Sequence, residues 1–386
     1  MPITRLTLSS LLSFGPGPTT VDLGPLNVLI GPNGSGKSNL IDALSLLRAA
    51  TGDLAEPFRV GGGQFRDWVW SGAGAQPGMR LGTVVSPGDS LPTIAHDIEL
   101  AEHLQRPRVV SERVAWVGER ATLADPEYVR SAGMSRLVFA DGRTPPVRDV
   151  SENQSVLATH AVTSALPPAS KLRDTYAAMR LYRGFDWGRD AKARTSQRGD
   201  LPPDFLLPTA ENLAAVLSAL QLEGVAFEHL KHELRRFMPD FRDLLFVNLG
   251  PQLLVYLRLD GLSAPVPLSR MSDGTLRYLS LLAVLLHPRP PGLLCIEEPE
   301  TGLHPDMIAD LARHLAAASE RTQVVVTTHS DLLVSALSHR PDAVVVVERG
   351  PQGTELNRLE PARLAAWLEK YSLGELWLKG EIGGSR

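Results

Sequence analysis

The stretch that most constrains this chain runs from a short apolar segment, Leu26 to Ile30, straight into Gly31-Pro32-Asn33-Gly34-Ser35-Gly36-Lys37-Ser38. Leu40, Ile41, Leu44 and Leu47 then recur at spacings of three and four, with no Pro or Gly before Gly52. The run fits a buried strand and the periodic pattern fits a helix. A glycine-rich loop between them can curl until its N–H groups and the helix N-terminus face an anion. A lysine at the loop's end reaches terminal phosphates, and the following hydroxyl suits a hard divalent cation. The candidate phosphate-binding residues are therefore Asn33, Gly34, Ser35, Gly36, Lys37, Ser38 and Asn39, with Ser38 also a metal ligand. An α/β architecture follows.

Three further segments lie far downstream. Leu293 to Ile296 is a second short apolar run, entered through Pro290-Pro291-Gly292 and ending in Glu297-Glu298-Pro299-Glu300. Adjacent carboxylates at a strand end suit a metal shell and a general base, and we assign Glu297 to Mg²⁺ and Glu298 to the attacking water. A charged strand end facing solvent is the alternative for these glutamates taken alone. Ser272-Asp273-Gly274-Thr275 opens a helix, Leu276 to His287, whose far half is apolar all round. A serine cap, a glycine backbone and a hydroxyl can cap a phosphate, or simply start a core helix. Finally, Val324 to Thr328 is a β-branched run that ends in His329.

Taken in order, these segments resemble the SMC/RecF/OLD-like branch of ABC ATPases, and within it the stand-alone AAA-21 type. GPNGSGKSNLIDAL, SDGTLRYLSLL, IEEPETGLHP and VVTTHSDLL carry the likeness, which covers roughly residues 1 to 60 and 265 to 350. The resemblance implies a P-loop NTPase of ABC-ATPase head type, a mixed sheet with an antiparallel β lobe, using ATP and Mg²⁺. It implies that His329 contacts the γ-phosphate and that Thr301 to Pro305 is the D-loop. It also implies that Ser272 and Gly274 of one copy cap the ATP of another, giving a homodimer or higher even oligomer with composite sites. Two positions depart from the wider pattern: Glu297 stands where Asp is usual, and the signature has Asp273 and Thr275 in place of glycine and glutamine. Gln64, within Gly61-Gly62-Gly63-Gln64-Phe65, is a candidate Q-loop metal ligand or merely a glutamine in a glycine-rich loop.

Lys37 and Ser272 are separated by a long middle region. Alternation over Met79–Val85 and Ile94–Val117 predicts antiparallel strands with turns at Pro87-Gly88 and Pro107. Leu172–Tyr182 and Glu211–Phe237 read as helices, and Leu244–Leu259 as strand. This divides the chain into an ATPase lobe at 1–125, an inserted mainly helical lid or dimerisation lobe at 126–242, and the rest of the ATPase lobe at 243–386. Residues 171 to 198 carry Lys171, Arg173, Arg180, Arg183, Arg189, Lys192, Arg194 and Arg198, with Tyr176, Tyr182, Phe185 and Trp187 interleaved. Such a segment suits DNA backbone neutralisation and stacking, or a solvated arginine-rich lid, or a docking face for an effector protein. His229 and His232 match no zinc motif and read as helix-surface residues.

Composition bounds the partners. With 39 basic against 43 acidic residues and a net charge of −4, the chain as a whole is no polycation, so any nucleic-acid contact must be local. A single cysteine, Cys295, and no apolar run of membrane-spanning length lead us to expect a cytoplasmic protein without a membrane partner. Expected function is an ATP-hydrolysing, dimerising switch acting on DNA or on a partner effector in DNA repair or phage defence. The alternatives are an ATP-dependent scaffold with negligible turnover and a transport ATPase subunit. No nuclease in cis is expected.

Overall fold

The computed structural model describes residues 2–88, 91–118, 126–139, 141–148, 150–160, 166–184, 188 and 191–383. Its centre is a six-stranded sheet in the order β17 (Gly353–Arg358), β16 (Val344–Gly350), β3 (Leu26–Ile30), β15 (Gln323–Thr327), β14 (Leu293–Glu297), β9 (Arg180–Tyr182). All neighbours are parallel except the β16–β17 hairpin. Parallel strands are covered on both faces, which is why these segments read as continuous apolar runs. Side-chain alternation then splits them between two cores. Val28, Ile30, Leu294, Ile296, Val324 and Val326 face one core, built with the helices Leu213–Leu222, Val225–Phe237, Asp273–Leu285 and Pro305–Ala318. Leu29, Leu293, Cys295, Val325 and Val345 face the other, with the helices Lys37–Ala49 and Pro167–Ala177.

An antiparallel sheet closes over that second core. Its seven strands run in the order β2 (Thr19–Asp22), β1 (Ile3–Ser9), β4 (Gly78–Val85), β5 (Thr93–His103), β6 (Arg106–Val117), β7 (Glu127–Ser131), β8 (Met134–Val138). The β5–β6 turn is made by Leu104 and Gln105, both at positive φ (50 and 62), rather than at Pro107, which pairs within the ladder. A smaller sheet holds β10 (Gln197–Arg198), β12 (Gln252–Leu259) and β11 (Phe241–Leu249), with β13 (Val266–Pro267) against β12.

The middle of the chain differs from its sequence reading. Residues 126–242 do not form one helical insertion: β7 and β8 extend the antiparallel sheet, and β9 is the edge of the central one. The helix expected over Leu172–Tyr182 ends at Ala177, and its last residues become β9. Burial beside β14 overrides local helical periodicity there. The expected helix over Glu211–Phe237 breaks at Gly224 (φ 47) into two helices bent by 118°. Among the described residues, no single helix is long and apolar enough to cross a membrane.

Candidate nucleotide site

The central sheet delivers four chain segments to its C-terminal edge, where open α/β sheets bind ligands. Gly31, Gly34 and Gly36 take φ values of 148, 75 and 110 as the chain leaves β3. A Cβ on Gly31 would lie 2.1 Å from the Val347 carbonyl oxygen, and one on Gly36 would lie 2.3 Å from Thr354 Oγ1. Glycine is required at both by close packing as well as by backbone conformation. Lys37 folds back along the loop, its Nζ donating to the Gly31 and Pro32 carbonyls at 2.7 and 2.9 Å. Burial lowers its ammonium to about 8, against the pull of Glu298. Asn33 and Gly34 are exposed at the loop apex, as is Ser38. Ser35 is buried, with its Oγ unpartnered. Asn39 turns elsewhere, its amide donating to Ser13 Oγ at 2.7 Å.

Glu297 ends β14, in register with Thr327 of β15. Its Oε1 is buried without a hydrogen-bond partner. Burial raises the Glu297 carboxyl above its ordinary value, opposed by the neighbouring Arg183 guanidinium and Ser38 hydroxyl. Glu298 lies in the left-handed region at φ 42, a costly conformation for a residue with a Cβ. Its N–H donates to the Thr327 carbonyl at 3.0 Å, and Thr301 Oγ1 donates to its Oε2 at 3.2 Å. His329 Nε2 stands 3.6 Å from Glu298 Oε1. Glu300 Oε1 accepts from Thr328 Oγ1 at 2.6 Å and from the His329 N–H at 3.0 Å, while its Oε2 is buried and unpartnered.

Ser272 caps the helix Asp273–Leu285, its Oγ accepting from the Thr275 N–H at 3.1 Å. Both Ser272 and Asp273 are exposed, and Asp273 is paired with Arg194. Gly274 abuts the turn after Glu298: a Cβ there would meet the Gly302 carbonyl oxygen at 2.9 Å.

A family model described as "AAA domain, putative AbiEii toxin, Type IV TA system", the AAA-21 family, matches residues 26–335. The chain belongs to this family. Solved structures agree on the fold. The AAA-21 chain superposes with a TM-score of 0.56 on an SMC head bound to the C-winged helix domain of ScpA, at 16% identity over 94% of this chain and 99% of that one. An SMC head with an extended coiled coil bound to the C-terminal domain of ScpA, from Pyrococcus furiosus, gives 0.50 at 15% identity over 95% and 98%. Comparison with curated proteins gave no match. The family is therefore AAA-21, and the fold is that of an SMC head.

The donor set fits Mg²⁺, the ion that P-loop sites hold with their nucleotide. A serine hydroxyl and a buried carboxylate oxygen with no partner are hard oxygen donors, and Mg²⁺ takes few protein ligands because phosphates and water complete its shell. Gln64 makes a bond within its own loop: it is exposed, and its side-chain oxygen accepts from Arg66 Nε at 2.9 Å.

In the basic segment of the AAA-21 protein, the two described tyrosines are turned inward. Tyr176 and Tyr182 are buried, the first with its hydroxyl 3.1 Å from His96 Nδ1 and the second donating to the Leu206 carbonyl at 2.8 Å, so neither can stack on a base. Arg183 pairs with Asp42, Lys192 with Glu211 at 3.1 Å and Arg198 with Asp200 at 2.5 Å, and Arg180 lies over the Phe205 ring. Phe185, Trp187 and Arg189 lie outside the described residues. His229 faces Glu233 at 3.6 Å on the helix Val225–Phe237.

Sequence reasoning missed two residues of the site. Arg183 follows β9 directly, and its partner Asp42 lies one helical turn beyond Ser38. Arg277 is buried on the helix that Ser272 caps, with Nη2 donating to the Glu298 carbonyl at 2.5 Å and Nε to the Pro299 carbonyl at 3.2 Å. An arginine between Leu276 and Tyr278, on a helix otherwise turned into the core, was the one available signal.

Proposed function

We propose that the protein binds and hydrolyses ATP with Mg²⁺, that ATP joins two copies into a dimer, and that this assembly is a switch acting on DNA or a partner effector in DNA repair or phage defence. The observation that carries the reading is the approach of Glu298 and His329 to 3.6 Å at the sheet edge that also presents Lys37 and Glu297. Lys37 and the loop N–H groups of Asn33 to Ser38 bind the phosphates. Ser38 and Glu297 hold the metal, which neutralises phosphate charge when bound. Glu298 accepts the proton of the attacking water, and His329 orients it and contacts the γ-phosphate. Thr301 and the Thr327 carbonyl fix the Glu298 side chain and backbone.

The exposed Ser272 and the half-buried Gly274 supply the dimer reading. Within the chain they contact Thr275 and Gly302, which leaves the capped helix end open to a phosphate carried by a second copy. Hydrolysis then removes the charge that bridges the copies.

The test is ATP turnover and sedimentation of the wild type and Glu298→Gln. Turnover should fall about 10²- to 10⁴-fold, with ATP binding kept and the dimer trapped. Wild-type turnover at background level would leave only the scaffold reading. Adding duplex DNA across a salt series sorts the targets: direct contact, through 171–198 or elsewhere, predicts stimulation that fades as salt rises. No stimulation at low salt leaves action through a protein partner.

A further inference from the structure

The buried guanidinium of Arg277 has no part in the chemistry above, yet it holds the chain where that chemistry takes place. Arg277 is 7% exposed and spends two donors on consecutive carbonyls, Glu298 at 2.5 Å and Pro299 at 3.2 Å. The peptide it grips belongs to Glu298, whose φ of 42 is unfavourable for any residue but glycine. From the other side, the Glu298 N–H is held by the Thr327 carbonyl at 3.0 Å. Left-handed backbone persists only where its surroundings over-determine it, and here the two clamps are β15 and Arg277. We propose that Arg277 is a positioning residue that fixes the backbone of Glu298, and so aims its carboxylate at His329.

This inference rests on the ATPase reading and deepens it. Arg277 stands on the helix that Ser272 caps, and Gly274 of that helix packs on the Gly302 carbonyl just beyond the same turn. The signature end and the Glu298 turn are therefore one packed unit within a chain. Whatever seats on Ser272 bears on Glu298 through a single rigid turn of helix and one guanidinium.

Arg277→Gln and Arg277→Lys test the proposal. Because the arginine donates to the Glu298 and Pro299 carbonyls and acts through that backbone, R277Q should lower kcat about a hundredfold while KM and the affinity for a fluorescent ATP analogue stay within about twofold. The lysine keeps a cationic donor, so R277K should recover about tenfold of that loss. Both residues act on one step, so R277Q combined with Glu298→Gln should be no slower than Glu298→Gln alone. A folded R277Q with wild-type kcat overturns the proposal. So does a loss of analogue affinity that matches the loss of kcat, or losses that multiply in the double variant. Should R277Q fail to fold, R277K decides: an intermediate kcat at unchanged KM supports the proposal and a wild-type kcat overturns it. An inactive wild type would instead bring down the ATPase reading.

Discussion

Carboxylate oxygens are buried both in the antiparallel sheet, at Glu112, and at the edge of the central sheet, at Glu297 and Glu300, and they are treated in opposite ways. Glu112, on β6, is 2% exposed with both oxygens engaged: it accepts from Ser155 Oγ, from the Val156 N–H at 2.9 Å and from His96 Nε2 at 3.2 Å. His96 in turn meets the Tyr176 hydroxyl, which lies 2.5 Å from Thr83 Oγ1. This network ties β4, β5 and β6 to the helix Pro167–Ala177 and partners both oxygens of the carboxylate. At the edge of the central sheet, Glu297 and Glu300 each keep one buried oxygen unpartnered, and Ser35 keeps a buried hydroxyl unpartnered. Orphaned buried oxygens cost free energy that a structural role would not require. A satisfied buried acid builds the scaffold, whereas an unsatisfied one is prepared to receive a cation or a donor.

Breaking the scaffold side should have the largest effect. Glu112→Ala strands Ser155, the Val156 N–H and His96 in the core, and should lower stability by roughly 3–5 kcal/mol, since each buried orphan costs about 1–3 kcal/mol. Denaturant unfolding measures the loss, and ATP affinity of the remaining folded protein should be unchanged. Glu297→Gln should do the reverse. Removing a buried charge with an unpartnered oxygen should leave stability unchanged or raise it by about 1 kcal/mol, while the Mg²⁺ dependence of ATP-analogue binding weakens by about tenfold or more. Equal destabilisation by both variants would erase the contrast between the two regions.

The smallest expected effect comes from Lys37. Its ammonium is charged below about 8 and loses its proton as pH rises through that value. ATP-analogue affinity should therefore be level between about pH 6.5 and 7.5 and fall by up to about tenfold by pH 9. Lys37→Arg, whose guanidinium does not titrate in this range, should remove the pH dependence whatever its absolute affinity.

How much of this was legible in the sequence depends on the range of the forces involved. The P-loop, the strand ending in Glu297 and Glu298, and the strand before His329 are local strings in which each residue's neighbours set its conformation. For Gln64, a glycine-rich loop with a glutamine carries no information about what the loop faces; its oxygen accepts from Arg66, two residues away. Tyr176 and Tyr182 looked like stacking surfaces among arginines, but the chain pattern there could not show that Pro167–Ala177 packs under the antiparallel sheet or that β9 pairs with β14. The break at Gly224 was likewise hidden, because the apolar periodicity continues on both sides of it.

The sequence by itself determined the elements that close on themselves: a glycine-rich loop between a strand and a helix, a lysine at the start of that helix, paired glutamates at a strand end and a serine cap at Ser272. Their chemistry follows from spacing along the chain. Only the tertiary structure decided which distant groups meet them. The pairing of Arg183 with Asp42, the contact of Glu300 with Thr328 and the grip of Arg277 on Glu298 all join elements brought together by strand order and core burial. Hydrophobic burial is non-directional, so apolar runs indicate that two strands are buried without stating which is beside which. The hydrogen-bonded ladder makes that choice, and with it chooses the residues around the phosphate loop.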